Sequence, residues 1–421
     1  MHRVDKRKPA TEPIKVIVVD DSAVMRRLLT DLMDAMDGIE VVGSAADGEA
    51  ALELIALVKP DVVTLDVAMP KMDGLEVLRR LMASRPVPVV MVSAFTERAS
   101  ETTMRALELG AVDFIGKPVR DAGEKSFSNY SQELGELIRA ANGARIRPSV
   151  ARFPSQQTSK PAPAKPLPSG KPEESGGTGG GGRVSTPVPV NTSKRPLPLG
   201  VAERRPSVIE PKAAVVDAGP APVRPVASST PPRRVICIGA STGGTEALKQ
   251  LLLGFPADCP PTLIVQHMPE AFTGSFAKRL DGMCLPTVIE SKGGEPLQNG
   301  VVYIAPGHSH MRVRKSGSGW VTELNTEPPV NRHRPSVDVL FDSAAELIGG
   351  SAIGVILTGM GRDGAQGLLR MRQAKAVTYG QDEATCVVYG MPREAALLGA
   401  VGEVVSIDDM AKQIFAGLAR A

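Results

Sequence analysis

Between residues 143 and 230 the chain packs in 16 of its 36 prolines, along with a G-G-T-G-G-G-G run and little else that could form a core. A stretch of this kind cannot offset its ordering entropy by burying apolar surface, so it reads as a flexible linker with extended polyproline stretches. It divides the 421 residues into two parts, 14–141 and 232–421, with the linker at 142–231. Each part is long enough to organise its own hydrophobic core.

Both parts alternate apolar, strand-like runs with amphipathic helical stretches, the pattern of a parallel sheet wound with helices. In the first part the runs are Val16–Asp20, Glu40–Gly43, Val62–Asp66, Val89–Ser93 and Val112–Gly116. Five such units predict a flavodoxin-like (βα)5 domain, with its ligands at the carboxyl ends of the strands. In the second part Val235–Ile238, Thr262–Gln266, Gly300–Ile304 and Ile353–Leu357 predict a different doubly wound, parallel-sheet α/β domain. Aromatic residues make up only 3% of the chain, which fits cores built from buried aliphatic strands.

The net charge of +3 is unevenly spread: residues 143–230 hold 13 Lys and Arg against 5 Asp and Glu, so the folded parts are mildly acidic. That disfavours a nucleic-acid-binding output domain. The four cysteines, Cys237, Cys259, Cys284 and Cys386, form no C-x-x-C pair, so no zinc site or disulfide framework is indicated. Neither a signal peptide nor an apolar run long enough to span a membrane is legible, and a cytoplasmic protein is expected.

In the first part Asp20 and Asp21 end the first strand, Asp66 the third and Ser93 the fourth, while Lys117 follows the fifth. Parallel strands bring these ends together. Asp20, Asp21 and Asp66 would make a negative pocket suited to Mg²⁺, and Asp66 is the best candidate nucleophile for a phosphoryl group. Ser93 and Lys117 would contact the phosphoryl oxygens. Taken singly, an aspartate such as Asp21 could simply cap the next helix.

The second part opens with V-I-C-I-G-A-S-T-G-G-T-E, a strand, a glycine loop and a helix, which would hold Ser241 exposed at a helix N-terminus. A phosphate-cradling loop is the alternative, although G-x-G-x-x-G spacing is missing. Of five histidines, His267 alone follows a strand-like run, T-L-I-V-Q, and so emerges at the same rim as Ser241, in reach as a base. His308 and His310 look like a metal pair without a third ligand. Asp363, in the glycine-rich loop I-L-T-G-M-G-R-D-G-A, is the candidate orienting acid, with a turn or cap residue as the alternative.

The segments V-V-D-D-S, L-D-V-A-M-P-K-M-D-G and D-F-I-G-K-P resemble the receiver domain of two-component response regulators. The segments I-G-A-S-T-G-G, V-Q-H-M-P, H-R-P-S-V-D-V-L-F and L-T-G-M-G-R-D-G-A are similar to the catalytic domain of chemotaxis methylesterases. The first resemblance implies phosphorylation of Asp66 by a chemotaxis histidine kinase, with Ser93 and Phe114 as a switch pair. One departure is Ala68, where methylesterase relatives usually carry an acidic residue. The second resemblance implies Ser241 as nucleophile, His267 as base and Asp363 as acid, with oxyanion donors at the backbone N–H groups of Thr242 and Met360. It implies demethylation of glutamate methyl esters, and deamidation of glutamines, on methyl-accepting chemotaxis receptors, with no cofactor for the esterase. An unphosphorylated receiver is expected to cover the cleft, in a monomer. An adaptor without catalysis would not need Ser241, His267 and Asp363 together.

Overall fold

The apolar runs become strands because Val, Ile and Leu pack well on a pleated surface that is covered on both faces. In the computed structural model, residues 12–94, 97–118, 124–146 and 232–420 are described, apart from the side chains of 97–100, 124–126 and 419–420. The expected linker lies outside the described residues except for 142–146.

The first sheet contains β1 (Ile14–Val19), β2 (Ile39–Ala45), β3 (Val62–Asp66), β4 (Val89–Ser93) and β5 (Asp113–Gly116). All neighbours are parallel, in the order β2-β1-β3-β4-β5. Between and after them run α1 (Ala23–Asp34), α2 (Gly48–Val58), α3 (Gly74–Ser84), α4 (Glu97–Glu108) and α5 (Glu124–Asn142). Side-chain oxygens of Ser22, Asp47 and Asp73 accept from the first turns of α1, α2 and α3. The cap of α1 is therefore Ser22, which leaves the exposed Asp21 carboxylate without that duty.

The second sheet contains β6 (Val235–Ala240), β7 (Thr262–Gln266), β8 (Thr287–Glu290), β9 (Val301–Ile304), β12 (Ala352–Ile356), β13 (Val377–Gln381) and β14 (Glu403–Val405). It is fully parallel, in the order β14-β13-β12-β6-β7-β9-β8. An antiparallel hairpin, β10 (His310–Ser316) with β11 (Gly319–Asn325), stands apart from it. The helices are α6 (Gly244–Leu253), α7 (Glu270–Asp281), α8 (Val337–Leu347), α9 (Ala365–Gln373), α10 (Met391–Leu397) and α11 (Ile407–Arg420). Two parallel α/β layers agree with the class read from the sequence. The sequence reading lacked β8, β13, β14 and the hairpin, whose strands are short or alternate polar with apolar residues.

One apolar layer runs from the first sheet through Met104, Leu107 and Phe114 to Phe272, Phe276 and Leu280 of α7. Helix α4 packs against α7 and α6, and the described parts on both sides of the break form one compact unit. No helix among the described residues is long and apolar enough to cross a membrane.

Candidate functional site

At the carboxyl rim of the first sheet, ligand oxygens of Asp20, Asp21 and Asp66 lie within 4.8 Å of one another. Lys117 Nζ, arriving after β5, donates to Asp66 Oδ2 at 2.7 Å and forms an ion contact with Asp20 Oδ2 at 2.8 Å. Burial raises the Asp66 carboxyl above its ordinary range; Lys117 opposes this and the Asp20 charge adds to it. Three hard carboxylate donors facing one ammonium leave excess negative charge, so this cluster fits a small divalent cation. Ser93 is fully buried on the neighbouring strand and accepts from Thr103 Oγ1 at 3.0 Å. Gly74 packs against the Asp66 carbonyl, where a side chain would not fit.

In the second sheet the chain winds outward from β6 in both directions, so the ends of β6, β7 and β12 border one crevice. Ser241 follows β6, His267 follows β7, and Met360 and Asp363 follow β12. His267 N–H donates to Ala240 O at 3.0 Å, which ties its strand end to the serine loop. A Cβ on Gly359 would lie 2.7 Å from Ser241 Cβ, so glycine there lets the Met360 backbone approach the serine. The N–H groups of Thr242 and Met360 donate to no backbone acceptor among the described residues. Helix α6 starts two residues beyond Thr242 and directs its positive end at the same spot.

His267 Nε2 lies 2.8 Å from Asp363 Oδ2. A carboxylate only accepts, so Nε2 carries the proton, and the buried Nδ1, which has no partner, is left as the basic nitrogen. Asp363 is 1% exposed and sits at the start of α8. Its Oδ1 accepts from Ser336 Oγ and Asn331 Nδ2, each at 2.7 Å, and its Oδ2 accepts from Val337 N–H at 2.7 Å. Burial alone would raise its pKa, but the bond and charge of His267, with Asn331 and Val337, drive it well below the ordinary carboxylate range. The His333 ring stacks on His267 with centroids 3.8 Å apart, and burial, followed by the His267 charge, pushes its pKa down to about 3.

The three side chains singled out in the sequence therefore meet at one crevice, although no hydrogen bond joins Ser241 Oγ to His267. Sequence reasoning gave no role to Asn331, His333 or Ser336. The only signal for them was that two of the three lie in H-R-P-S-V-D-V-L-F and the third just before it. His308 and His310 do not form a metal pair: His310 is buried, with Nδ1 accepting from Ser336 N–H and Nε2 facing Pro328 O, while His308 is exposed beside Glu270.

The crevice opens into a cleft of about 580 Å³ whose far wall belongs to the first domain. Asp113 Oδ2 accepts from Thr242 Oγ1 at 2.5 Å, and the Phe114 ring lies 4.4 Å from that of Phe272. Around them Arg279 Nε donates to Glu108 at 2.9 Å, Arg332 pairs with Glu136 at 2.6 Å and Arg145 with Glu383 at 2.7 Å. Phe114, one member of the expected switch pair, is thus part of the contact between the two sheets.

Residues 236–414 match the CheB methylesterase family and residues 16–124 the response regulator receiver domain. The protein-glutamate methylesterase/protein-glutamine glutaminase 1 of Dechloromonas aromatica is 53% identical over 404 residues, 96% of this chain and 98% of that protein. Its counterpart in Nitrosomonas europaea is 47% identical over 408 residues, 97% of each. The crystal structure of the Thermotoga maritima CheB methylesterase catalytic domain, 38% identical, covers 43% of this chain and 96% of that one with a TM-score of 0.42. Two family patterns in the order of the two sheets, and relatives matched over nearly their whole length, place the chain in the family of CheB protein-glutamate methylesterase/protein-glutamine glutaminases.

Proposed function

We propose that the chain removes methyl groups from glutamate methyl esters of methyl-accepting chemotaxis receptors in the cytoplasm, and deamidates receptor glutamines, under control of phosphorylation at Asp66. The division of labour is a receiver at 14–141, a linker at 142–231 and an esterase at 232–421. The observation that carries this reading is the 2.8 Å bond from His267 Nε2 to Asp363, which leaves Nδ1 unpartnered in the cleft that Ser241 lines.

Nδ1 takes the Ser241 proton as Oγ attacks the ester carbonyl; the Ser241–His267 bond forms once substrate is seated, as is common in catalytic sites. The free N–H groups of Thr242 and Met360 receive the developing oxyanion, each contributing about 2.7–4 kcal/mol. His267 then returns the proton to the departing methoxide, giving methanol, and deprotonates a water that frees the glutamate. Asp363 holds the ring and stabilises its protonated form.

In the receiver Asp20, Asp21 and Asp66 would hold Mg²⁺, which supplies charge neutralisation for phosphoryl transfer from a chemotaxis histidine kinase. Lys117 and Ser93 meet the phosphoryl oxygens. Because Phe114 touches Phe272 and its neighbour Asp113 touches Thr242, a shift of the Phe114 ring on phosphorylation would loosen the lid over the cleft. Methanol release from methylated receptors, with and without a small phosphodonor, tests the reading. Release should rise with the donor and vanish in Ser241→Ala; substantial turnover by that variant would refute the serine mechanism.

A further inference from the structure

Helix α5 turns Asn129, Gln132, Glu133, Glu136 and Leu137 into the cleft over Ser241. Spacing of three and four residues makes them a single helical stripe. Its polar members are asparagine, glutamine and glutamate, the last two being the residue types in the name of this family. As an adhesive the stripe is poorly composed. The Glu133 carboxyl is raised by burial and then by the charges of Asp113 and Glu136, so three acidic groups crowd one another at the cleft.

One of the three, Glu136, is answered by Arg332, whose Nη1 lies 2.6 Å from Glu136 Oε1. With side chains 64% and 31% exposed, this pair contributes little to stability. Yet Arg332 is held at φ 71°, in the left-handed region that favours glycine, after Asn331 at φ 50°. Asn331 is bonded to Asp363 on one side, and His333 is stacked on His267 on the other. Backbone strain next to the reacting groups, at a guanidinium facing an open cleft, indicates a role in binding.

We infer that Arg332 reads the substrate: it pairs with an acidic side chain near the target glutamyl group on a helical substrate, and α5 closes the cleft by presenting Glu136 in that acid's place. The inference rests on the esterase reading above. Arg332 is thereby a specificity residue that makes no contact with the reacting bond.

The test uses the full chain, activated by a small phosphodonor, and two helical peptides. Each peptide bears one glutamate γ-methyl ester; one keeps acidic neighbours and the other has glutamine in their place. The unaltered protein should favour the acidic peptide by about two- to fivefold in kcat/KM, the value of one ion pair at a partly exposed site. Arg332→Gln should bring the two peptides to parity through KM, with kcat on the glutamine peptide retained. Arg332→Glu should favour a third peptide with lysine neighbours, a reversal that a merely structural role would not give. Glu136→Gln should raise the resting rate without donor and leave the peptide preference intact. A preference that survives Arg332→Gln, or an equal loss on both peptides, would overturn the inference. Failure of the unaltered protein to cleave any peptide would instead count against the esterase reading itself.

Discussion

Replacing Asp363 with Asn asks what its negative charge is for, and the surrounding donors determine how the amide must lie. At the Oδ2 end it meets Val337 N–H, a backbone donor that cannot reverse, and His267 Nε2. At the Oδ1 end it meets the Ser336 hydroxyl, which rotates to accept, the Asn331 amide, which is shared with Asp338 Oδ2, and the Asp338 N–H only at a long 3.4 Å. The new NH₂ therefore settles at the Oδ1 end and the amide oxygen remains at the Oδ2 end, so His267 keeps its tautomer and its aim. Only the charge is lost. Exchanging a charge-assisted hydrogen bond for a neutral one costs about 1–1.5 kcal/mol, or a kcat lower by about tenfold. A substitution that turns the base to the wrong tautomer costs about 10⁴-fold in serine proteases, where that case is known. Asp363→Ala, by contrast, leaves Ser336 and Val337 with buried unpaired donors at about 1–3 kcal/mol each, so its melting temperature should fall as well. Single-turnover methanol release, with thermal melts of both variants, separates these outcomes. A loss near 10⁴-fold in the stably folded Asn variant would refute the argument from Val337.

Two more outcomes concern the contact between the sheets. Arg279→Glu faces Glu108 with a like charge and should raise the resting methylesterase rate; adding Glu108→Arg should lower it again, and no recovery would mean that this pair does not hold the lid. Burial lifts the Asp113 carboxyl from 3.8 to about 6, against the pull of Thr242, Phe114 N–H and His267. The docked state therefore holds that proton more tightly than the released state, and docking is fully supported below about pH 4 and weakens as pH rises through 6. Glu133, also raised by burial, acts in the same direction. Asp113→Asn imitates the protonated form, so the ratio of the resting rate of the unaltered protein to that of the variant should climb between pH 5 and 7.5. A flat ratio would remove Asp113 from the control.

The rim positions were legible because a parallel strand covered on both faces reads as an unbroken apolar run, and its first polar residue marks the rim. Asp66 and Ser93 were found at strand ends, Asp20 just beyond one, and Ser241 and His267 at the mouths of β6 and β7. Asp363 was harder, since an aspartate in a glycine loop has several local uses and its true partners are far away in sequence. Asn331, Ser336 and the Val337 N–H that fix it come from a turn and a helix start whose meeting with β12 depends on long-range packing. His308 and His310 misled for a related reason: neighbours in sequence suggested a shared ligand, whereas burial sent one ring into the interior and left the other outside. Nor could the sequence supply the Asp113–Thr242 contact, which belongs to the docking of two sheets and not to either one.

Ser241, His267 and Asp363 leave three adjacent strands, and β12 must pair with β6 to bring the acid to a base 96 residues earlier. A chain still being synthesised holds a serine and an imidazole well before it holds the carboxylate that makes them useful. On the proposed mechanism the esterase gains its full machinery only late in translation, once β12 is made, and a fragment cut before β12 lacks its orienting acid. Receiver control need only begin once the last central strand is in place.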